Sequence, residues 1–246
     1  MLTALAQTAS GALIRIASAE QTRQSRAAEE RMRRYVPDAV AERVAAGREM
    51  EAEQREVSVL FVDIRGYTTL CEGAAPQEIF SAINRYTESV AACVRRHGGT
   101  IVDFSGDGVM AVFGAPEPLP SKERAAVETA RDIAATVGAI TLGNGAPLSV
   151  GVGVATGEAY VGNVRAADRL IWTALGNAIN LAARLQVLTR ELGAAIVIDS
   201  ATRGGADAAA ADFMPHAGVA IRGRAQAEDV YALPLAGSSA ASPSVR

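Results

Sequence analysis

The chain has 246 residues, 49% of them hydrophobic and 21% charged, with a formal net charge of −3. That length suits one sizeable domain plus an extension, and the composition is that of a soluble globular protein. Without a basic excess there is no broad nucleic-acid footprint, and no nucleic-acid partner is expected.

Residues 1–50 are rich in Ala, Arg and Glu with charges of both signs interleaved, which predicts a helical, coiled-coil-like linker or dimerisation segment. Pro37 breaks it, and Asp38 is placed to cap a second short helix. The opening MLTALAQTASGALIRIA has no basic start, and Gln7, Thr8, Ser10 and Arg15 interrupt its apolar run. It is too short and too polar to span a membrane, for which about 20 apolar residues are needed. An amphipathic helix is expected, as a peripheral membrane contact or a link to an upstream sensor. The two cysteines, Cys71 and Cys93, lie in apolar helical stretches with no CxxC spacing, and read as small buried hydrophobes in a reducing, cytoplasmic compartment.

The folded domain is expected over residues 55–235. VSVLFVD at 57–63 is a near-continuous apolar run, as in a central buried strand. Pro76 opens a helix whose apolar positions Ile79, Ile83, Tyr86 and Val90 recur at helical spacing, and Gly98-Gly99 ends it. TIVDFSGDGVMAVFG reads as a hairpin turning at Gly106-Asp107-Gly108. A helix follows over 121–138, then a strand at 148–157, a strand at 170–175 and a helix from Asn177 to Gly193. AAIVIDS, VAIRGR and EDVYALP supply further strands, and residues 236–246 form a polar tail expected to be disordered. The order strand–helix–strand–strand–helix–strand is the split βαβ, ferredoxin-like α/β (α+β) arrangement, with helices expected on one face of the sheet.

Two carboxylates occupy unusual places. Asp63 closes an apolar strand and Asp107 sits in a glycine-flanked turn. In the expected sheet both reach the same edge of adjacent strands, where a carboxylate pair suits a hard divalent cation such as Mg²⁺ or Mn²⁺. Taken singly, each aspartate reads better as a local turn or strand-end residue, and the pair in this fold reverses that. Gly66, Tyr67 and Thr68 follow Asp63, and backbone N–H groups there can cradle phosphate. Asn180 and Arg184 lie four apart on one helical face; an amide can orient a ribose oxygen and a guanidinium can stabilise charge on a phosphoryl group.

LFVDIRGYT, FSGDGVMAVFG and IWTALGNAINLAARL, in this order and spacing, resemble the signature blocks of the class III adenylate and guanylate cyclase catalytic domain. IRGRAQAEDVYAL resembles that family's closing basic block, so the resemblance covers essentially all of 55–235. It implies a nucleotidyl cyclase fold and a symmetric homodimer with sites at the interface. Two divalent cations would be held by Asp63, Asp107 and the Ile64 carbonyl. Asn180 and Arg184 would orient the ribose and stabilise the transition state. Thr173 would contact the purine, and Arg222 or Arg224 the triphosphate. The implied reaction is ATP to cyclic AMP and pyrophosphate. One departure stands out: Asp103 occupies the position where the family's adenine-selective members carry lysine. A carboxylate accepts from guanine N1–H and N2–H, whereas Thr173 accompanies adenine. Cyclisation of GTP and a cyclase-like regulatory or dimerisation module are therefore the alternatives.

Overall fold

A computed structural model describes residues 40, 51–141, 145–166 and 169–235. The chain forms two compact units, Met1–Glu49 and Met50–Arg246. Apart from Val40, which is helical, the expectations for residues 1–50 fall outside the described residues, as does the expected disordered tail at 236–246. Among the described residues no helix is long and apolar enough to cross a membrane.

The elements run β1 Glu53–Ile64, α1 Tyr67–Gly73, α2 Pro76–Arg96, β2 Thr100–Ser105, β3 Gly108–Phe113, α3 Lys122–Val137, β4 Val150–Ala166, β5 Arg169–Leu175, α4 Asn177–Glu191, β6 Ala194–Asp199, α5 Ser200–Gly205, β7 Met214–Val219 and β8 Glu228–Pro234. The sheet has eight strands in the order β2-β3-β1-β4-β6-β8-β7, with β5 paired to β4. β1 runs antiparallel to both β3 and β4, and β4 parallel to β6. This is the expected split βαβ core with a second group of strands added beyond β4.

Period-two alternation sorts the strand residues onto two faces. Leu60, Val62 and Ile64 of β1, Val150, Val152 and Val154 of β4, and Ile196 and Ile198 of β6 form one core. Tyr86, Val90 and Val94 of α2 and Val127, Ala130, Ile133 and Val137 of α3 cover it. The other face carries Gly151 and Gly153, and there the expectation that helices occupy a single face is corrected. α4 lies on this second face, burying Leu181, Ala182, Leu185 and Leu188. Glycine makes the approach possible: a Cβ on Gly151 would meet Thr189 and Gln186, and one on Gly153 would meet the Gln186 and Ala182 backbone. β1 is thus buried on both sides, which is why its sequence is almost continuously apolar.

Three further boundaries differ from the sequence expectation. β4 continues through EAYVGNVRA to Ala166 and makes a long hairpin with β5, because pairing with β5 satisfies a stretch whose mixed polarity hides the strand pattern. The strand expected over VAIRGR ends at Val219, and Ile221–Arg224 is a turn closed by Arg224 N–H to the Ile221 carbonyl at 2.9 Å. The helices α1 and α5 are one-turn to two-turn pieces with no apolar periodicity to announce them.

Candidate active site

β1 and β3 are hydrogen-bonded neighbours, with Val62 opposite Val109. One residue further along β1 comes Asp63, and the β2–β3 turn of Gly106 and Asp107 lies at the same sheet edge. Gly106 adopts φ 65°, a left-handed conformation that glycine takes without steric cost, so the two-residue turn closes tightly. The outcome is that the Asp63 and Asp107 carboxyls come within hydrogen-bond reach of each other. Burial first, then the hydrogen bond and like charge of Asp107, raise the Asp63 pKa to about 7; Arg190 and the Ile64 N–H oppose the rise. The approach does not satisfy every oxygen: Oδ1 of Asp63 is buried with no hydrogen-bond partner.

This arrangement fits a divalent cation. A buried, unpaired carboxylate oxygen beside a second carboxylate is a costly way to end a strand unless a positive charge completes it. Among the described residues no group of three or more His, Cys, Asp and Glu side chains converges as an all-protein cage. Magnesium-type sites rarely need one, since substrate phosphates and water fill the remaining positions.

The surroundings hold this edge rigid. Tyr86, fully buried beneath it, donates its hydroxyl to the Val62 carbonyl at 3.5 Å. Burial, helped by the charges of Asp63 and Asp107, pushes its titration upward, so it stays a donor. Arg65 donates to the carbonyls of Val150 at 3.0 Å, Ala194 at 2.5 Å and Thr189 at 3.5 Å, tying the end of β1 to β4, β6 and the last turn of α4. Gly66, at φ 67°, opens α1, and no side chain caps its first turn. Gly66 and Thr68 are exposed and Tyr67 is half-buried, its hydroxyl hydrogen-bonded with Cys71. Cys93 is buried as expected, while Cys71 is only half-buried.

The raised Asp63 pKa has a stability consequence. Between the ordinary carboxylate pKa and about 7 the folded chain binds more protons than the unfolded one, so stability falls as pH rises through that window. Asp63→Asn is therefore expected to raise the melting midpoint of the metal-free protein by a few degrees at pH 8 and hardly at pH 5. Thermal unfolding followed by circular dichroism at both pH values checks this; equal shifts at both would contradict it.

The second set of expected residues lies elsewhere in the same chain. Asn180 is exposed on α4, and Arg184 is half-buried with its guanidinium against Gly223. Arg222 is exposed, whereas Arg224 donates to Asn177 Oδ1 at 2.7 Å and pairs with Glu228 at 2.5 Å, its Nε buried without a partner. Arg224, Asn177 and Glu228 line an open cleft of ≈720 Å³, together with Thr156, Asp199 and Ser200. Asp199 is buried there; burial raises its pKa, and it caps α5 by accepting from Thr202 N–H at 2.9 Å. Thr173 is half-buried on β5 opposite Gly162, and Asp103 is exposed on β2, just past a register shift. β5 touches β2, although the two strands are not hydrogen-bonded to each other. Among the described contacts none joins Asn180 or Arg184 to the aspartate pair.

Comparison with known proteins follows the same outline. Residues 50–233 match the family described as adenylate and guanylate cyclase catalytic domain. The chain belongs to this family. An uncharacterized protein of Mycobacterium tuberculosis is 37% identical over 183 residues, covering 72% of this chain and 31% of the relative. The chain thus spans about a third of the length of such curated relatives. A crystal structure of the adenylyl cyclase CyaB from P. aeruginosa is 28% identical with a TM-score of 0.64, covering 74% of this chain and 95% of that one. A guanylyl cyclase crystal structure is 29% identical with a TM-score of 0.60, covering 74% and 93%. The domain is a class III nucleotidyl cyclase domain, and its solved neighbours include both adenylyl and guanylyl cyclases.

Two residues of this cyclase domain were not singled out by the sequence. Arg65 and Arg190 both flank Asp63, but one reads as a loop arginine and the other as a routine positive charge at a helix C-terminus. His97, which follows the last residue of α2, contacts Asp132 of α3 at 3.0 Å.

Proposed function

We propose that this cyclase domain closes ATP into 3′,5′-cyclic AMP with release of pyrophosphate, at sites shared across a homodimer. The supporting observation is the convergence of Asp63 and Asp107 around a buried, unpaired carboxylate oxygen. With the Ile64 carbonyl, these residues would hold two divalent cations, Mg²⁺ or Mn²⁺. Bound there, such cations supply acidification of the ribose 3′-hydroxyl and neutralise charge on the leaving pyrophosphate.

The rest of the mechanism is positioning, because the nucleophile belongs to the substrate. Backbone N–H groups at Gly66, Tyr67 and Thr68 face the phosphates. Asn180 orients the ribose, and Arg184 offers a planar fork to the charge that builds on the α-phosphoryl oxygens. Either the exposed Arg222 or Arg224, which is held by Asn177 and Glu228, is the triphosphate contact on the closing turn. Thr173 of β5 and Asp103 of β2 are the purine contacts.

Homodimer formation has its own support. The β4–β5 hairpin and the adjoining β2 expose Tyr160, Leu170, Ile171, Leu175 and Phe104, an apolar surface that a second copy can cover. α4 rises about 1.5 Å per residue, so the ten positions between Asn180 and Arg190, which flanks Asp63, span roughly 15 Å. One protomer alone therefore does not bring its Asn180 to its own aspartates.

Incubating the purified chain with Mn²⁺ and either ATP or GTP, and identifying the product by mass, tests the reaction and the base together. Cyclic AMP in excess is expected; no cyclic product from either triphosphate would end the proposal. The exposed carboxylate of Asp103 supports the second reading, GTP as substrate, since it can only accept hydrogen bonds when ionised. Asp103→Lys is expected to shift the ATP-to-GTP ratio of kcat/KM toward ATP by about tenfold, the scale of one charged hydrogen bond. An unchanged ratio would place Asp103 off the base.

A further inference from the structure

Arg190 has no role in the reaction described above. It stands in the last turn of α4, with Nη2 3.8 Å from Asp63 Oδ2. That separation is an ion pair too long to be a hydrogen bond. The side chain is 56% exposed, and among the described residues its guanidinium makes no hydrogen bond.

Arg65, the other cation at this edge, behaves oppositely. Its donors are taken by three backbone carbonyls, and burial together with the charge of Arg190 lowers its pKa. One arginine is structural, and the other keeps its whole fork available beside the carboxylate pair. The backbone that carries Arg190 is fixed, because α4 is seated directly on Gly151 and Gly153.

We propose that Arg190 is a polyphosphate-binding residue, supplied by the same protomer as Asp63 and Asp107, that grips phosphate oxygens beside the aspartate pair. This rests on the cyclase reading given above. A guanidinium offers several parallel donors and matches phosphate in bidentate fashion, and it stays charged at every working pH. Charge balance favours it as well. Two carboxylates cancel much of the charge of two divalent cations, so a triphosphate bound over them needs further positive groups. Arg190 supplies one from the aspartate side, while Arg184 supplies another from the facing protomer. The two residues are six apart on α4, roughly 9 Å along the axis, so the helix reaches toward both sites of a dimer.

The test is calorimetric titration of inorganic tripolyphosphate into the whole chain in the presence of Mn²⁺, with Mn²⁺ binding alone followed by electron paramagnetic resonance. Arg190→Ala is expected to weaken tripolyphosphate by about tenfold or more, with Arg190→Lys recovering part of the loss. Mn²⁺ affinity without phosphate should be unchanged or slightly tighter, since a neighbouring positive charge has gone. Tripolyphosphate affinity within about twofold of the unsubstituted chain overturns the proposal, as does a loss confined to Mn²⁺, which would make Arg190 only a support for Asp63. The unsubstituted chain and Asp63→Ala separate the two levels. Equal Mn²⁺-dependent binding by both would remove the metal assignment beneath this proposal. Binding by the unsubstituted chain alone upholds the metal site, and the Arg190→Ala titration then decides whether the arginine grips phosphate.

Discussion

Asp63→Ala and Asp107→Ala are each expected to abolish cyclic nucleotide formation while leaving the fold intact. Each change removes one of two carboxylates that would hold the cations, and no third acidic or histidine side chain converges there among the described residues to compensate. A lost direct ligand should exceed the roughly 10–100-fold effects seen for outer-shell partners, so Mn²⁺ affinity should fall by more than about a hundredfold. The fold should tolerate the change. Asp63 is half-buried with an unpaired oxygen and a raised pKa, so alanine relieves an electrostatic cost as well as deleting a few contacts. Near-native circular dichroism and melting with no product by mass spectrometry is the expected pair of results. Turnover retained in either variant would discard the two-cation assignment.

Mixing two inactive variants, Asp63→Ala and Arg184→Ala, is expected to restore activity. In one protomer the aspartate pair stands at the β1 and β2–β3 edge, while Arg184, midway along α4, rests against Gly223. Sites assembled from opposite halves of two copies then leave one intact site in every mixed dimer. With random exchange, half the dimers are mixed and half their sites are intact, giving about a quarter of unsubstituted activity. An equimolar mixture assayed after exchange checks this. Activity no higher than the sum of the separate variants would argue for sites built within a single chain. The β4–β5 hairpin exposes Leu170 at 64% and Leu175 at 57%, an apolar surface on which a second copy could seat.

The candidate site was legible in the residues only as an expectation. An acidic side chain at the end of VSVLFVD and another inside a GDG turn are each ordinary alone, and only as a pair at one sheet edge do they suggest a cation site. The NxxxR spacing placed Asn180 and Arg184 on one helix without any coordinates. Arg65 and Arg190 could not be picked out in this way. Each is an ordinary arginine in its local context, and only packing shows that Arg190 pairs with Asp63 while Arg65 gives its donors to backbone carbonyls. Nor did the sequence distinguish Arg222 from Arg224; that difference arises from Asn177 and Glu228, which approach Arg224 through the fold of the turn onto α4.

By itself the sequence determined the strand and helix order of the split βαβ core, the buried character of β1 and the identity of the cyclase motifs. The element order and the buried strand follow from periodicity and turn chemistry, which are local, and the motifs from their resemblance to the family's signature blocks. The tertiary structure alone decided that α4 occupies the second face of the sheet, that β4 runs on into a long hairpin, and that Asp63 has both a carboxylate and an ion-paired guanidinium beside it. Such features depend on which surfaces meet across many residues of chain, as where Gly153 admits the backbone of α4, and no local pattern carries that information.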